Sequence, residues 1–103
     1  MKWKKLGQIF CPNHDFDWMQ SHASVPFISS FDGDIAKIYF STRNKKQESS
    51  VGYLWYDFEK LKVLEVGETP ILTKGDLGCF DDSGVMGTCM VEIDSSLRMY
   101  YIG

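Results

Sequence analysis

Short apolar runs of five to nine residues, each closed by Gly, Asp or Ser, follow one another along the whole chain, and helical periodicity is scarce. The runs are KLGQIF (5–10), ASVPFI (23–28), IAKIYFST (35–42), SVGYLWYDF (50–58), KVLEV (62–66), TCMVEI (88–93) and LRMYYI (97–102). They are rich in Val, Ile, Tyr, Phe and Trp, the residues that fit a pleated surface. This pattern predicts an all-β protein of antiparallel sheets. FDGD (31–34) carries the Asp-Gly signal of a tight hairpin between the second and third runs. One stretch is ambiguous, because Leu54, Phe58, Leu61 and Leu64 also fall at helical spacing. The alternation of Val51, Tyr53 and Trp55 against Gly52, Leu54 and Tyr56 favours two strands there.

Length and composition bound the rest. The 103 residues suit one domain, 1–103, which at this size buries roughly two thirds of the surface its unfolded chain exposes. Hydrophobic residues at 44% and charged residues at 24% make the chain too apolar for disorder and too polar for a membrane protein. No run approaches the about 20 apolar residues a bilayer requires. Gly7, Gln8 and Pro12 interrupt the basic beginning MKWKK before a signal-peptide core is reached. A net charge of −3, with only Arg43, Lys45 and Lys46 clustered, argues against nucleic acid as a partner. Cys11, Cys79 and Cys89 match neither a disulfide framework nor a paired zinc motif, so reduced thiols in a cytoplasmic protein are expected.

The chain also matches itself. PFISSFDGDIAKIYF (26–40) lies over TCMVEIDSSLRMYY (88–101), with Phe27 and Ile28 on Cys89 and Met90, Asp32 on Asp94, and Tyr39 on Tyr100 after one deletion. Each half is a strand, a tight polar turn and a strand. A period near 60 containing four strands has the shape of a propeller blade. The chain then holds one blade, the first half of a second, and an extra strand at its start.

HASVPFI, AKIYFSTRN followed by SSVGYLWYD, PILTKGDLGCFDDSGVMGTCMV and LRMYYIG resemble the opening of the five-bladed β-propeller proteins related to glycoside hydrolases, including arabinanase-like and levanase-like enzymes. The resemblance covers residues 3–103 but only about the first third of such a propeller. It implies a partial five-bladed β-propeller of about one and a half blades, completed by oligomerisation. It also implies that catalytic carboxylates would stand at the starts of innermost strands. Here Ser21-His22 occupy the first-blade position, where such enzymes commonly carry Asp. The second-blade position matches Asp81 or Asp82, as an orienting group, and the general acid of the third blade has no counterpart. Glycosidic cleavage needs a carboxylate pair, so no residue is assigned a catalytic role.

Four residues are expected to bind a ligand: His22, Arg43, Asp81 and Asp82. In FDDSGV (80–85) the alternatives are a sugar-pocket rim, with Asp82 accepting hydroxyl hydrogen bonds, and a turn held by Asp and Gly. The EF-hand ligand spacing is absent from GDLGCFDDSGVMG. Arg43 is a candidate to pair with Asp81 or Asp82, or to grip an anionic group. His14, Asp15, Asp17 and His22 match no metal-ligand spacing and read as loop polarity. Trp18 either stacks on a sugar ring or lids the core. No phosphate loop, nucleophile elbow or HExxH motif occurs, and no cofactor is expected.

Three functions follow in order of preference. One is an interaction module that joins copies of itself through exposed strand edges, a homo-oligomer. The second is a carbohydrate-associated module without turnover. The third is a glycoside hydrolase whose site is assembled from several chains.

Overall fold

A computed structural model describes residues 2–103. The strands are β1 (Ser21–Asp32), β2 (Ile35–Arg43), β3 (Ser49–Asp57), β4 (Lys62–Val66), β5 (Met86–Ile93) and β6 (Ser96–Ile102). No helix is present among the described residues. The protein is all-β, and every strand pairing is antiparallel. β1 to β4 form a four-stranded meander in chain order, and β5 with β6 forms a separate two-stranded sheet.

The meander buries its two faces against different material. On one face Ala36, Ile38, Phe40, Leu54 and Tyr56 form a cluster with Met19, closed over by Ile9, Phe10, Phe16 and Trp18 of the N-terminal segment. On the other, Tyr39 and Val51 pack with Val85, Phe27, Tyr53, Met90, Met99 and Tyr101, so the β5–β6 hairpin covers it. β2 is therefore buried from both sides, which explains why its run is almost continuously apolar. The ambiguous stretch is strand, turn and strand. The backbone N–H groups of Glu59 and Lys60 donate to Asp57 Oδ1 at 2.9 and 3.0 Å, and Leu61 takes a φ of +54°, a geometry no continuing helix accepts.

KLGQIF does not form the expected strand. Gly7 has a φ of +97°, which breaks the extended run, and Pro12 follows. Ile9 and Phe10 still find apolar contact, with the Phe10 ring 5.3 Å from that of Phe40. The segment covers a sheet face rather than pairing with a sheet edge.

The internal match reappears in the strand register. Ser24↔Ser41, Phe27↔Tyr39 and Ile28↔Ile38 in β1–β2 correspond to Met86↔Ile102, Cys89↔Tyr100 and Met90↔Met99 in β5–β6. Beyond the irregularity between Ile28 and Ser30, Asp32↔Ile35 corresponds to Ile93↔Ser96. Both first strands, β1 and β5, also shift register just before Phe27 and just before Cys89. The missing residue of the second copy thus falls at the bulge in β1, ahead of the turn. This corrects the alignment at one point: Asp94 stands over Gly33, not Asp32. Both are left-handed turn residues, with φ of +49° and +62°.

Candidate functional site

Ser21 of β1 pairs with Arg43 of β2, Arg43 with Ser49 of β3, and Ser49 bridges Gly84 in the loop before β5. This row brings Arg43, Ser21 beside His22, and Gly84, two residues after Asp82, to one end of the meander. It does not bring them into one cavity. His22 is exposed, takes a φ of +67°, and its Nδ1 shares a hydrogen bond of 2.8 Å with the Ser21 hydroxyl. Arg43 donates through Nη1 to Gln47 Oε1 at 3.5 Å. No ion pair joins it to Asp81 or Asp82 among the described residues.

Both aspartates already have partners, one inside the loop and one outside it. Asp82 accepts from the Gly78 backbone N–H at 2.9 Å and from the Ser83 hydroxyl at 3.3 Å, which is turn chemistry. Asp81 is buried and accepts from the Tyr101 hydroxyl at 3.0 Å. That hydrogen bond, with desolvation and the adjacent negative charge, raises the Tyr101 pKa. Asp81 therefore ties the loop to β6. Gly84 lets the loop approach β3: a Cβ there would stand 2.8 Å from the Ser49 backbone nitrogen, and Val85 N–H donates to Ser49 C=O at 3.1 Å.

One cavity at this end lies a step aside from that row. A polar cleft of about 490 Å³ opens between the 14–21 segment and the β2–β3 connection, lined by His14, Asp17, Gln20, Ser21, Asn44, Lys45 and Gln47. Its floor is held by Gln20, which is buried. Gln20 N–H donates to Arg43 C=O at 2.8 Å, Gln20 Nε2 to Phe16 C=O at 2.7 Å, and His14 Nδ1 meets Gln20 Oε1 at 3.0 Å. Its opposite wall is an Asx turn, in which Asn44 Oδ1 accepts from the backbone N–H groups of Lys46 and Glu48 at 2.9 and 3.0 Å. His14 and Gln47, at the rim, both have left-handed backbones, with φ of +69° and +64°. Non-glycine residues held there carry strain, and such strain clusters at binding sites.

Sequence reasoning passed over Gln20, Asn44 and Gln47. RNKKQE reads as a polar hairpin loop, and nothing local marks Gln20 as buried. His14 and Asp17 read in the sequence as loop polarity, and no group of three His, Cys, Asp or Glu side chains that could hold a metal forms among the described residues. Behind the Asn44 turn, Lys74 pairs with Glu48, which together with the Asn44 amide holds the Glu48 carboxyl below its ordinary range.

Trp18 is a lid. Its ring occupies the space a Cβ on Gly52 would need, 2.7 Å away, and its Nε1–H donates to Glu68 C=O at 2.9 Å. Lys37 Nζ lies 4.5 Å from the Tyr53 ring centre and near the Tyr39 and Trp55 rings, so the aromatic patch on β2 and β3 holds an internal cation. Cys11, Cys79 and Cys89 are exposed and free. No helix among the described residues is long and apolar enough to cross a membrane.

No known protein family and no solved structure matches the chain. Two curated Mycobacterium tuberculosis proteins do: Uncharacterized protein MT1551 of strain CDC 1551 / Oshkosh and Uncharacterized protein Rv1502 of strain H37Rv. Each is 40% identical to the chain over 104 residues, a match that covers all of this chain and 35% of the relative. The chain therefore spans about a third of the length of these relatives.

Proposed function

We propose that this chain is a recognition module on a propeller-type plan that binds a small polyhydroxylated ligand, of carbohydrate type, in the His14–Asp17–Gln47 cleft and does not hydrolyse it. The observation that carries this reading is the cleft lining. Hydroxyl groups each donate and accept, and the cleft offers acceptors (Asp17), donors (Lys45) and groups that do both (His14, Ser21, Gln47), while Asn44 is spent on its turn and on Glu48. The repeated register supports the blade plan, with β1–β4 as one blade and β5–β6 as the first half of the next. His22 and Arg43 would flank the ligand.

The carboxylates of the described residues support the non-catalytic part of this reading. Cleavage by either usual route needs two of them about 5 to 9.5 Å apart across the scissile bond. The cleft contributes Asp17, while Asp81 and Asp82 are committed to Tyr101 and Gly78. Three exposed thiols suit a reducing, cytoplasmic setting.

The test is titration with arabinose, xylose, fructose, mannose and their short oligosaccharides, followed by amide chemical shifts. Saturable shifts confined to residues 14–22 and 43–48, lost in Asp17→Ala with the melting temperature unchanged, are expected. Shifts elsewhere, or none with any sugar, would refute the cleft. Release of nitrophenol from aryl glycosides, abolished by Asp82→Asn, would refute the non-catalytic reading.

A further inference from the structure

Gln20 fixes the chemistry of one wall of the cleft. The Phe16 carbonyl can only accept, so the Gln20 atom 2.7 Å from it is the amide nitrogen, and the atom 3.0 Å from His14 Nδ1 is the amide oxygen. An amide oxygen likewise only accepts. His14 therefore carries the proton of its neutral ring on Nδ1, which leaves Nε2 as an acceptor. Gln20 is buried and its backbone N–H is held by Arg43 C=O, so the amide stays in this orientation. With His14 Nε2 and the Asp17 carboxylate, the 14–21 wall is one that accepts hydrogen bonds.

The facing wall is cationic. A second cavity, of about 230 Å³, shares Asp17, Asn44 and Lys45 with the cleft and adds Lys46 and Glu48. Lys74 pairs with Glu48. With His14 neutral, the charged side chains that remain along the two cavities are the cations Lys45 and Lys46 and the anion Asp17. Neither lysine, nor Arg43 beside them, has an ion-pair partner among the described residues. Positive charge is thus in excess here, in a chain whose net charge is −3. The lysines stand on a loop that is already closed. Asn44 Oδ1 accepts from the N–H groups of Lys46 and Glu48, Asn44 N–H donates to Glu48 C=O at 3.1 Å, and Gln47 N–H donates to Asn44 C=O at 3.0 Å. A preformed loop spares the ordering cost of binding.

We propose that the ligand of this cleft is a sugar bearing one anionic group, a carboxylate or a phosphate, whose hydroxyls donate to His14 Nε2 and Asp17 while the anion sits against Lys45 and Lys46. The inference rests on the cleft reading above and narrows it from sugars in general to acidic ones. An ammonium group donates hydrogen bonds and accepts none, so whatever is placed against the lysines must be an acceptor. A charged acceptor bonds roughly twice as strongly as a neutral one. A neutral sugar would leave both lysines without a counter-charge, and an anion turned the other way would meet Asp17.

The test titrates the full chain, at low ionic strength, with the neutral, uronate and 6-phosphate forms of glucose, galactose and mannose, followed by amide chemical shifts. At least one acidic form should bind about tenfold tighter than its neutral parent, with shifts in residues 14–22 and 43–48. The form preferred identifies the anion as carboxylate or phosphate. The preference should vanish when Lys45→Gln and Lys46→Gln are combined, with the melting temperature unchanged because both positions are exposed, and it should shrink in about 0.5 M salt. A long-range proton–nitrogen correlation spectrum at alkaline pH should show His14 protonated at Nδ1. Neutral sugars that bind as tightly as acidic ones, a preference that survives the double variant, or His14 protonated at Nε2 would each overturn the inference and leave the sugar cleft standing. Failure of every acidic form to bind also overturns it, and the neutral sugars then decide separately whether the cleft reading falls too.

Discussion

The β1–β2 and β5–β6 hairpins have matching register on either side of one extra residue in β1, the same bulge ahead of the same residue pair and a two-residue turn at the same place, yet they live in different surroundings. β2 is buried from Ile38 to Thr42, with Phe40 2% exposed, because sheet neighbours, the N-terminal segment and the second hairpin all reach it. β6 has β5 as its sole strand neighbour among the described residues, and Leu97, Tyr100 and Ile102 remain more than half exposed. Local geometry is thus set by turn and bulge chemistry within about 15 residues. Stability is set by what the rest of the chain lays against the strands.

The sharpest way to break that comparison is to truncate both hairpins. Phe40→Ala should cost about 3–5 kcal/mol in chemical denaturation, the range for an aromatic removed from a filled core. Val91→Ala on the hairpin should cost less than about 0.5 kcal/mol, as surface substitutions do. Equal losses would mean the hairpin is as deeply integrated as the meander. A smaller effect is expected at the junction. Gly84→Ala places a Cβ against the Ser49 backbone, and the loop must yield at a cost of about 1–3 kcal/mol, typical of overpacking. Amide exchange should then accelerate in β5 and β6 while β2 and β3 keep their protection; uniform acceleration would show one cooperative unit.

The tie between Asp81 and Tyr101 should matter less, and through pH. Because the folded pKa of Tyr101 is raised, its contribution is fully present below about pH 10, the ordinary tyrosine value, and is lost as pH rises through the folded value. Tyr101→Phe should lower the melting temperature at pH 7 and abolish that alkaline decline. An unchanged alkaline decline in the variant would assign it to another group. The smallest effect belongs to Glu48, whose lowered pKa makes its contribution present above the ordinary glutamate value and lost as pH falls through the folded one. The pair with Lys74 is exposed, so Glu48→Gln should trim acid sensitivity by an amount that vanishes at high salt.

Six of the seven strands expected from apolar runs are present, since β-branched and aromatic alternation is a local signal. The seventh, KLGQIF, has the composition of a strand but serves as a face cover, because a strand exists only where a partner edge accepts it. The candidate site was legible in part. Position along the chain put His22, Arg43, Asp81 and Asp82 at one end of the sheet. The identity of their partners was not readable: Asp81 meets Tyr101 across 20 residues, and Gln20 reaches Arg43 across a sheet pairing.

What the amino-acid order determined alone is the all-β class, the hairpin turns and the recurrence of one strand–turn–strand unit, all of which arise from backbone preferences over a few residues. Tertiary structure decided that Asp81 is spent, whereas Asp82 is spent on a turn of its own loop. Asp82 is consumed by a backbone N–H four residues away and Asp81 by a hydroxyl on another strand, while Asp17 faces the cleft with no such partner among the described residues. A carboxylate's availability depends on the donors that packing brings within about 3 Å, and that distance is settled only when the sheets have met.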